Sequence, residues 1–373
     1  MSVNRLFRVG SVAVASIGVL ALSACGSDPQ SSSGSSSPSA GSSSSAEADC
    51  PKGTLNAEGS TAQKNAIEEI ISKYNEKCAD VTVNYNPTGS GAGIKQFNAN
   101  QVDFAGSDSA LKPDEMTAAT KRCGGNPAID LPMVVGPIAI AYNVDGVSKL
   151  VLDGPTAAKI FAGTIKTWND PAIAKLNSGV TLPSAPISVF FRSDESGTTE
   201  NFSKYLKAAG GGAWTKEPAK KWAGTGSGKE KSSGVAEAVK STKNSITYDE
   251  WSYAIDNKLG IALIDNGSGA PVELSAESAG KALAAAKPAD ATGKDLALKL
   301  DYATKAAGTY PIVLVTYEIA CTKGLPADKT AMVKSFLSYF ASSEGQSSLT
   351  DLNYGQLPSE VQTKVAAAIQ AIS

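Results

Sequence analysis

Histidine is absent from the 373 residues. With it go every Ser-His and Cys-His catalytic pair, the histidine-containing zinc sites and the commonest general base near neutral pH. A surplus of either charge is also lacking: 34 Lys and Arg face 36 Asp and Glu, a formal net charge of −2, so no basic field exists to coat nucleic acid. Aromatic residues are sparse at 6%, yet 42% of the chain is hydrophobic, enough for sizeable cores. The length exceeds the ~100–200 residues of one ordinary domain and predicts two lobes. Nucleotide and serine-hydrolase signatures are missing too. Gly224-Thr225-Gly226-Ser227-Gly228-Lys229-Glu230 superficially resembles a phosphate-cradling loop, but the spacing is short and Glu230 stands where Ser or Thr must hold magnesium. No G-x-S-x-G elbow occurs, and nothing in the pattern places two aspartates at one site. These absences point away from an enzyme, from a metal site and from a cofactor.

What is present begins with an address. Arg5 and Arg8 open the chain, Val9 to Leu22 is an apolar run of signal-peptide length, and Leu22-Ser23-Ala24-Cys25 sets small residues before a cysteine. This resembles a bacterial lipobox. The resemblance implies a signal peptide over residues 1–24 and acylation of Cys25 by a diacylglycerol and an amide-linked chain such as palmitate, together a stable anchor. As a membrane-spanning helix the run would be short, and it lacks a Lys/Arg-rich flank. Residues 25–49 are then the acylated cysteine and a stretch of Ser, Gly, Ala and Pro that predicts a disordered tether, with an r.m.s. reach of roughly 25–30 Å. The expected location is the extracytoplasmic face of the cell membrane. Cys50, Cys78, Cys123 and Cys321 are even in number and without C-x-x-C spacing, so in an exported chain they predict disulfides. Three pairings are open. Cys50 and Cys78 bracket one β-α unit, which favours Cys50–Cys78 with Cys123–Cys321, although spacing does not fix the second pair.

From residue 50 onward, strand-like and helical patterns alternate: strand 53–57, helix 63–77, strand 81–85, helix 94–100, strand 103–106. That rhythm predicts an α/β fold. Ser60-Thr61-Ala62-Gln63 fits a capping box for the first helix, whose apolar face is Ile67, Ile70, Ile71 and Tyr74. Two apolar runs far apart in sequence, 133–142 and 310–320, are candidate crossovers between lobes. Between and after them come an expected strand at 187–191 and helices at 156–161, 198–209, 249–257, 331–341 and 360–372. The lobes expected are 51–138 with 311–373, and 139–310.

Three segments share one design, a strand running through a Gly/Ser/Thr-rich turn into a helix: residues 58–62, 88–93 and 194–199. Helix N-termini present unpaired amide donors, and small residues let an anion approach them. Arg192, at a strand end beside the third turn, can give an oxyanion a bidentate contact, with Asp194 holding it in place. Asp108 ends another short strand. A carboxylate can only accept hydrogen bonds, so it suits an anion that still carries a proton, such as phosphate, and repels sulfate.

Gly59-Ser60-Thr61, Thr88-Gly89-Ser90-Gly91-Ala92-Gly93-Ile94, Val102-Asp103-Phe104-Ala105-Gly106-Ser107-Asp108 and Arg192-Ser193-Asp194-Glu195-Ser196-Gly197-Thr198, in this order, closely resemble the substrate-binding lipoproteins of phosphate-specific ABC transporters. Ser245-Ile246-Thr247-Tyr248 with Leu259-Gly260 is similar to them as well. The resemblance implies a type II periplasmic-binding fold, a monomer whose two lobes close on dehydrated inorganic phosphate, and a membrane permease and ATPase as partners. Carried over by position, Ser60, Thr61 and the Ala62 backbone bind from the first helix start and Ser90 from the second. Asp108 accepts the ligand proton, Arg192 is the one cation in contact, Asp194 orients it, and Ser196, Gly197 and Thr198 donate hydroxyl and amide hydrogens. Ser232-Ser233-Gly234 departs from the family's pattern, and no role is carried to it. The competing readings are a receptor for sulfate or molybdate, a phosphoester hydrolase, and a surface lipoprotein with an adhesive role.

Overall fold

The computed structural model describes residues 50–373; the expected signal peptide, Cys25 and the tether lie outside them. Strand β1 (Gly53–Gly59) pairs in parallel with β2 (Val81–Pro87) and with β3 (Phe104–Ser107). Parallel neighbours need crossovers, and helices α1 (Lys64–Lys77) and α2 (Ser90–Asn98) supply them. Each buries one apolar stripe, Ala66, Ile67, Ile70 and Tyr74 from α1 and Ile94 with Phe97 from α2. Adding β4 (Ala128–Asn143), β5 (Ser188–Arg192), β6 (Ser227–Lys229), β7 (Ser245–Glu250) and β8 (Val313–Cys321) gives a sheet of order β2-β1-β3-β8-β4-β7-β5-β6, with Gly260–Ile261 beside β4. The α/β expectation holds.

The two apolar runs become β4 and β8, antiparallel to each other. Every residue of β4 but the last is buried, which explains a continuous rather than alternating apolar pattern. Its partner changes partway: Ala128 to Pro137 pair with β8, Ile138 to Asn143 with β7. Pro137 has no N–H to give and sits at that changeover, where the Ile138 N–H turns to Ile312 O at 2.8 Å. One strand thereby feeds two cores. Leu131, Met133 and Val134 pack with Leu55, Ile67, Ile70 and Phe336, whereas Ile138, Ile140 and Tyr142 pack with Phe161, Trp168, Phe202 and Tyr248. Disulfides join Cys50 to Cys78 and Cys123 to Cys321, as favoured from sequence.

Several local expectations are corrected. Helix α1 starts at Lys64, and its capping box is half made: Ser60 Oγ accepts from the Ala62 and Gln63 N–H groups at 3.1 and 3.4 Å, while the Gln63 amide turns away to Tyr85 Oη. The helix expected from residue 249 is α5 (Trp251–Asp256), because Asp249 and Glu250 continue β7 opposite Ala139 and Ile138. Helix α3 (Gly197–Ala209) was expected, but α4 (Lys231–Ser241) and the helices Pro113–Arg122 and Ala276–Ala284 were not. Among the described residues no helix is long and apolar enough to cross a membrane.

Candidate functional site

The three small-residue turns and the end of β3 meet at one place. Ser60, Thr61 and Ala62 leave β1, Ser90 starts α2, Asp108 follows β3, Arg192 ends β5, and Ser196, Gly197 and Thr198 open α3; all are buried. Asp194 is half-buried. Such convergence needs close backbone approach. A Cβ on Gly197 would stand 2.6 Å from Asp108 Cβ and 2.7 Å from Ser90 Oγ, and one on Gly91 would stand 2.4 Å from Glu195 Cβ. With glycine at 91, its N–H donates to Glu195 O at 2.9 Å, stitching the α2 turn to the α3 turn.

Asp108 is the acceptor at the centre. Its Oδ1 receives the Ser60 hydroxyl and the Thr316 hydroxyl, the latter at 2.9 Å, and its Oδ2 receives Thr198 Oγ1 at 3.2 Å. Ser90 Oγ accepts the Asp108 and Gly197 N–H groups at 3.1 and 3.2 Å, so one hydroxyl ties β3 to α3. Burial pushes the Asp108 carboxyl above its ordinary range, and the hydroxyls of Ser60, Thr316 and Thr198 with the Arg192 charge only partly restore it.

Arg192 is 1% exposed, which needs an explanation for a guanidinium. Asp194 supplies it with a bidentate pair, Nε to Oδ1 at 2.8 Å and Nη2 to Oδ2. Burial alone would lower the guanidinium's proton affinity, and Asp194, with smaller contributions from Asp249 and Tyr248, more than reverses that. Burial would likewise raise Asp194, yet Arg192 and the Lys231 N–H hold it below the ordinary carboxylate range. Lys231 adopts a left-handed φ of +66°, which aims that N–H at Asp194 Oδ1, 3.0 Å away.

The remaining fork nitrogen, Nη1, donates to Ser232 Oγ at 3.2 Å. Ser232 is fully buried and reaches Thr61, with Oγ 3.0 Å from Thr61 Oγ1 and its N–H donating to the same atom at 3.3 Å. Sequence reasoning assigned it no role. The available signal was a fourth strand–turn–helix unit, β6 into α4, masked because Ser232-Ser233-Gly234 departs from the family's pattern and the glycine-rich 224–230 segment before it looks like a nucleotide loop. Thr316, Asn201 and Tyr253 were missed for another reason: they enter from β8, α3 and α5 through tertiary packing. Asn201 donates to Asp108 O at 2.7 Å, and Tyr253 Oη to Thr61 O at 2.8 Å.

Residues 44–344 match the family model described as a PBP superfamily domain. Over 375 aligned residues, 99% of this chain and 100% of the relative, the sequence is 46% identical to phosphate-binding protein PstS 3 of Mycobacterium tuberculosis. The chain belongs to the PstS family. A second PstS-family relative, phosphate-binding protein PstS of Xylella fastidiosa, is 34% identical over 84% of this chain and 85% of its own. In fold, this PstS-family chain resembles a high affinity periplasmic phosphate-binding protein (PfluDING) bound with phosphate, with a TM-score of 0.69, 24% identity, and coverage of 84% of this chain and 93% of that one.

Proposed function

We propose that this chain is an extracytoplasmic receptor that binds inorganic phosphate between two lobes, 51–138 with 311–373 and 139–310, and delivers it to the permease and ATPase of an ABC importer. Anchoring through acylated Cys25 would keep it at the membrane, acting as a monomer. The observation that carries the reading is Asp108: a buried, acceptor-only carboxylate amid hydroxyl donors and beside one clamped guanidinium. On binding, Ser60, Thr61, Thr198 and the Ala62 and Gly197 N–H groups turn from the partners they hold here and, with Ser90 and Ser196, donate to phosphate oxygens. Arg192 balances the charge, and Asp108 accepts the proton that phosphate retains and sulfate lacks. The names of the curated relatives, both phosphate-binding proteins, support the same ligand. No bond is made or broken, and a chain without histidine gives a phosphoester hydrolase reading no support.

Isothermal titration calorimetry of the purified protein with phosphate, sulfate and molybdate tests the proposal. Phosphate should bind at least 100-fold more tightly than either rival. Equal affinity for sulfate would overturn the role given to Asp108, and steady release of phosphate from a model ester would revive the hydrolase reading.

A further inference from the structure

One buried carboxyl at this cleft has no task in the scheme above. Asp249 is the penultimate residue of β7, lies opposite Ala139 of β4 and is fully buried. Its Oδ1 accepts the Glu250 N–H at 2.9 Å, and its Oδ2 has no hydrogen-bond partner among the described residues. The groups facing it are few. Arg192 and, beyond it, Asp194 act on it from the β5 end, Ser232 from α4, Glu250 from its own strand and Tyr253 from α5; β4 presents only Ile138, Ala139 and Ile140. Arg192 already forms a bidentate pair with Asp194 and offers Asp249 its charge but no hydrogen bond. Burial drives the Asp249 carboxyl well above its ordinary range despite Arg192 and Ser232. Protonated, the group gains an O–H donor that a carboxylate lacks.

We infer that Asp249 is a positioning and specificity-determining residue of the cleft, engaging bound phosphate as a neutral acid whose O–H is given to Ser232 Oγ. Ser232 already accepts from Arg192 Nη1, and with Asp249 as a second donor its own hydroxyl hydrogen points away from both and turns from Thr61 Oγ1 to the anion. A phosphate dianion entering beside Arg192 disfavours negative charge on Asp249, so closure takes one proton from solvent onto Asp249 Oδ2. The cleft then handles protons at two places: Asp108 accepts one from the ligand, while Asp249 supplies one toward it.

This inference rests on the phosphate reading, and the experiment separates the two. Phosphate binding is measured calorimetrically at about pH 8.5, where phosphate is the dianion, in two buffers of different ionisation enthalpy, for the full chain and for Asp249→Asn. The wild type should take up more protons per phosphate bound than the variant. Its affinity should also fall more steeply between about pH 7 and 9, by up to tenfold per unit, because an amide donates at every pH. Equal proton uptake with parallel pH profiles in two phosphate-binding proteins overturns the role of Asp249 and leaves the receptor intact. No binding by the wild type overturns the receptor reading itself. Should Asp249→Asn fail to fold, the wild type's infrared spectrum with phosphate minus without it decides. A gained protonated-carboxyl band supports the inference, and its absence overturns it.

Discussion

A carboxylate aimed at an anion is a costly choice unless it discriminates. Asp108 sits where three hydroxyls and a guanidinium could have surrounded the ligand without it. Replacing it with asparagine swaps an acceptor for a group that also donates, so Asp108→Asn should bind sulfate far better and narrow the phosphate-to-sulfate ratio by at least tenfold. Calorimetry with both anions reads it, and an unchanged ratio would place the discriminating acceptor elsewhere. Arg192 poses the converse problem. Its charge is buried, so salt screens it poorly, and a charge-assisted hydrogen bond contributes roughly 1.5–3 kcal/mol. Arg192→Ala should therefore weaken phosphate binding by at least about tenfold at low and high salt alike. Arg192→Lys should recover little of it, since an ammonium cannot serve Asp194 bidentately while reaching Ser232. An effect that vanishes in high salt would sink this account.

Strand–turn–helix units are the elements that gather these residues, and their glycines decide how close the units come. Gly197 starts α3 against Asp108 and Ser90. A methyl there must displace atoms less than 3 Å away, and overpacking of that kind costs typically 1–3 kcal/mol. Gly197→Ala should lower phosphate affinity about tenfold or more, read by calorimetry. Unaltered affinity would show that α3 does not pack this tightly in the bound state. These units were also the most legible part of the sequence. A turn of small residues before an amphipathic run is a local signal, so the turns carrying Ser60, Ser90 and Ser196, the Arg192–Asp194 pair and the α/β order could all be read from spacing. Ser232, Thr316 and Asn201 could not. Each reaches the site through a register or a helix crossing fixed by distant segments, as where β8 pairs with β3 and places Thr316 on Asp108. The helix expected from residue 249 starts too early for the same reason: Asp249 and Glu250 look polar, and only their pairing with buried β4 makes them the interior end of β7.

For the molecule as a whole, the cleft leaves an excess of acid in the interior. Asp108, Asp249, Glu250 and Glu318 are all buried carboxyls pushed upward by burial. Glu318, on the long strand β8, is the plainest case: neither oxygen has a hydrogen-bond partner of good geometry, and burial raises it from 4.5 to about 8, with the Gln63 amide tempering and Asp108 reinforcing the shift. The unfolded chain ionises this group near 4.5 while the folded one holds the proton to about 8. Across that window the folded state binds more protons, so its stability falls as pH rises, by up to about 1.4 kcal/mol per unit. Asp194 runs the other way: burial raises it but Arg192 prevails, so its contribution is present at neutral pH and is lost only as pH falls through its depressed value. The ligand-free protein should thus melt at progressively lower temperature between about pH 5 and 8. Glu318→Gln, which cannot ionise, should flatten that decline and melt higher than wild type at pH 8. Scanning calorimetry of both across the range checks it. Parallel curves would mean that Glu318 ionises freely, and hence that water reaches a strand shared by both cores.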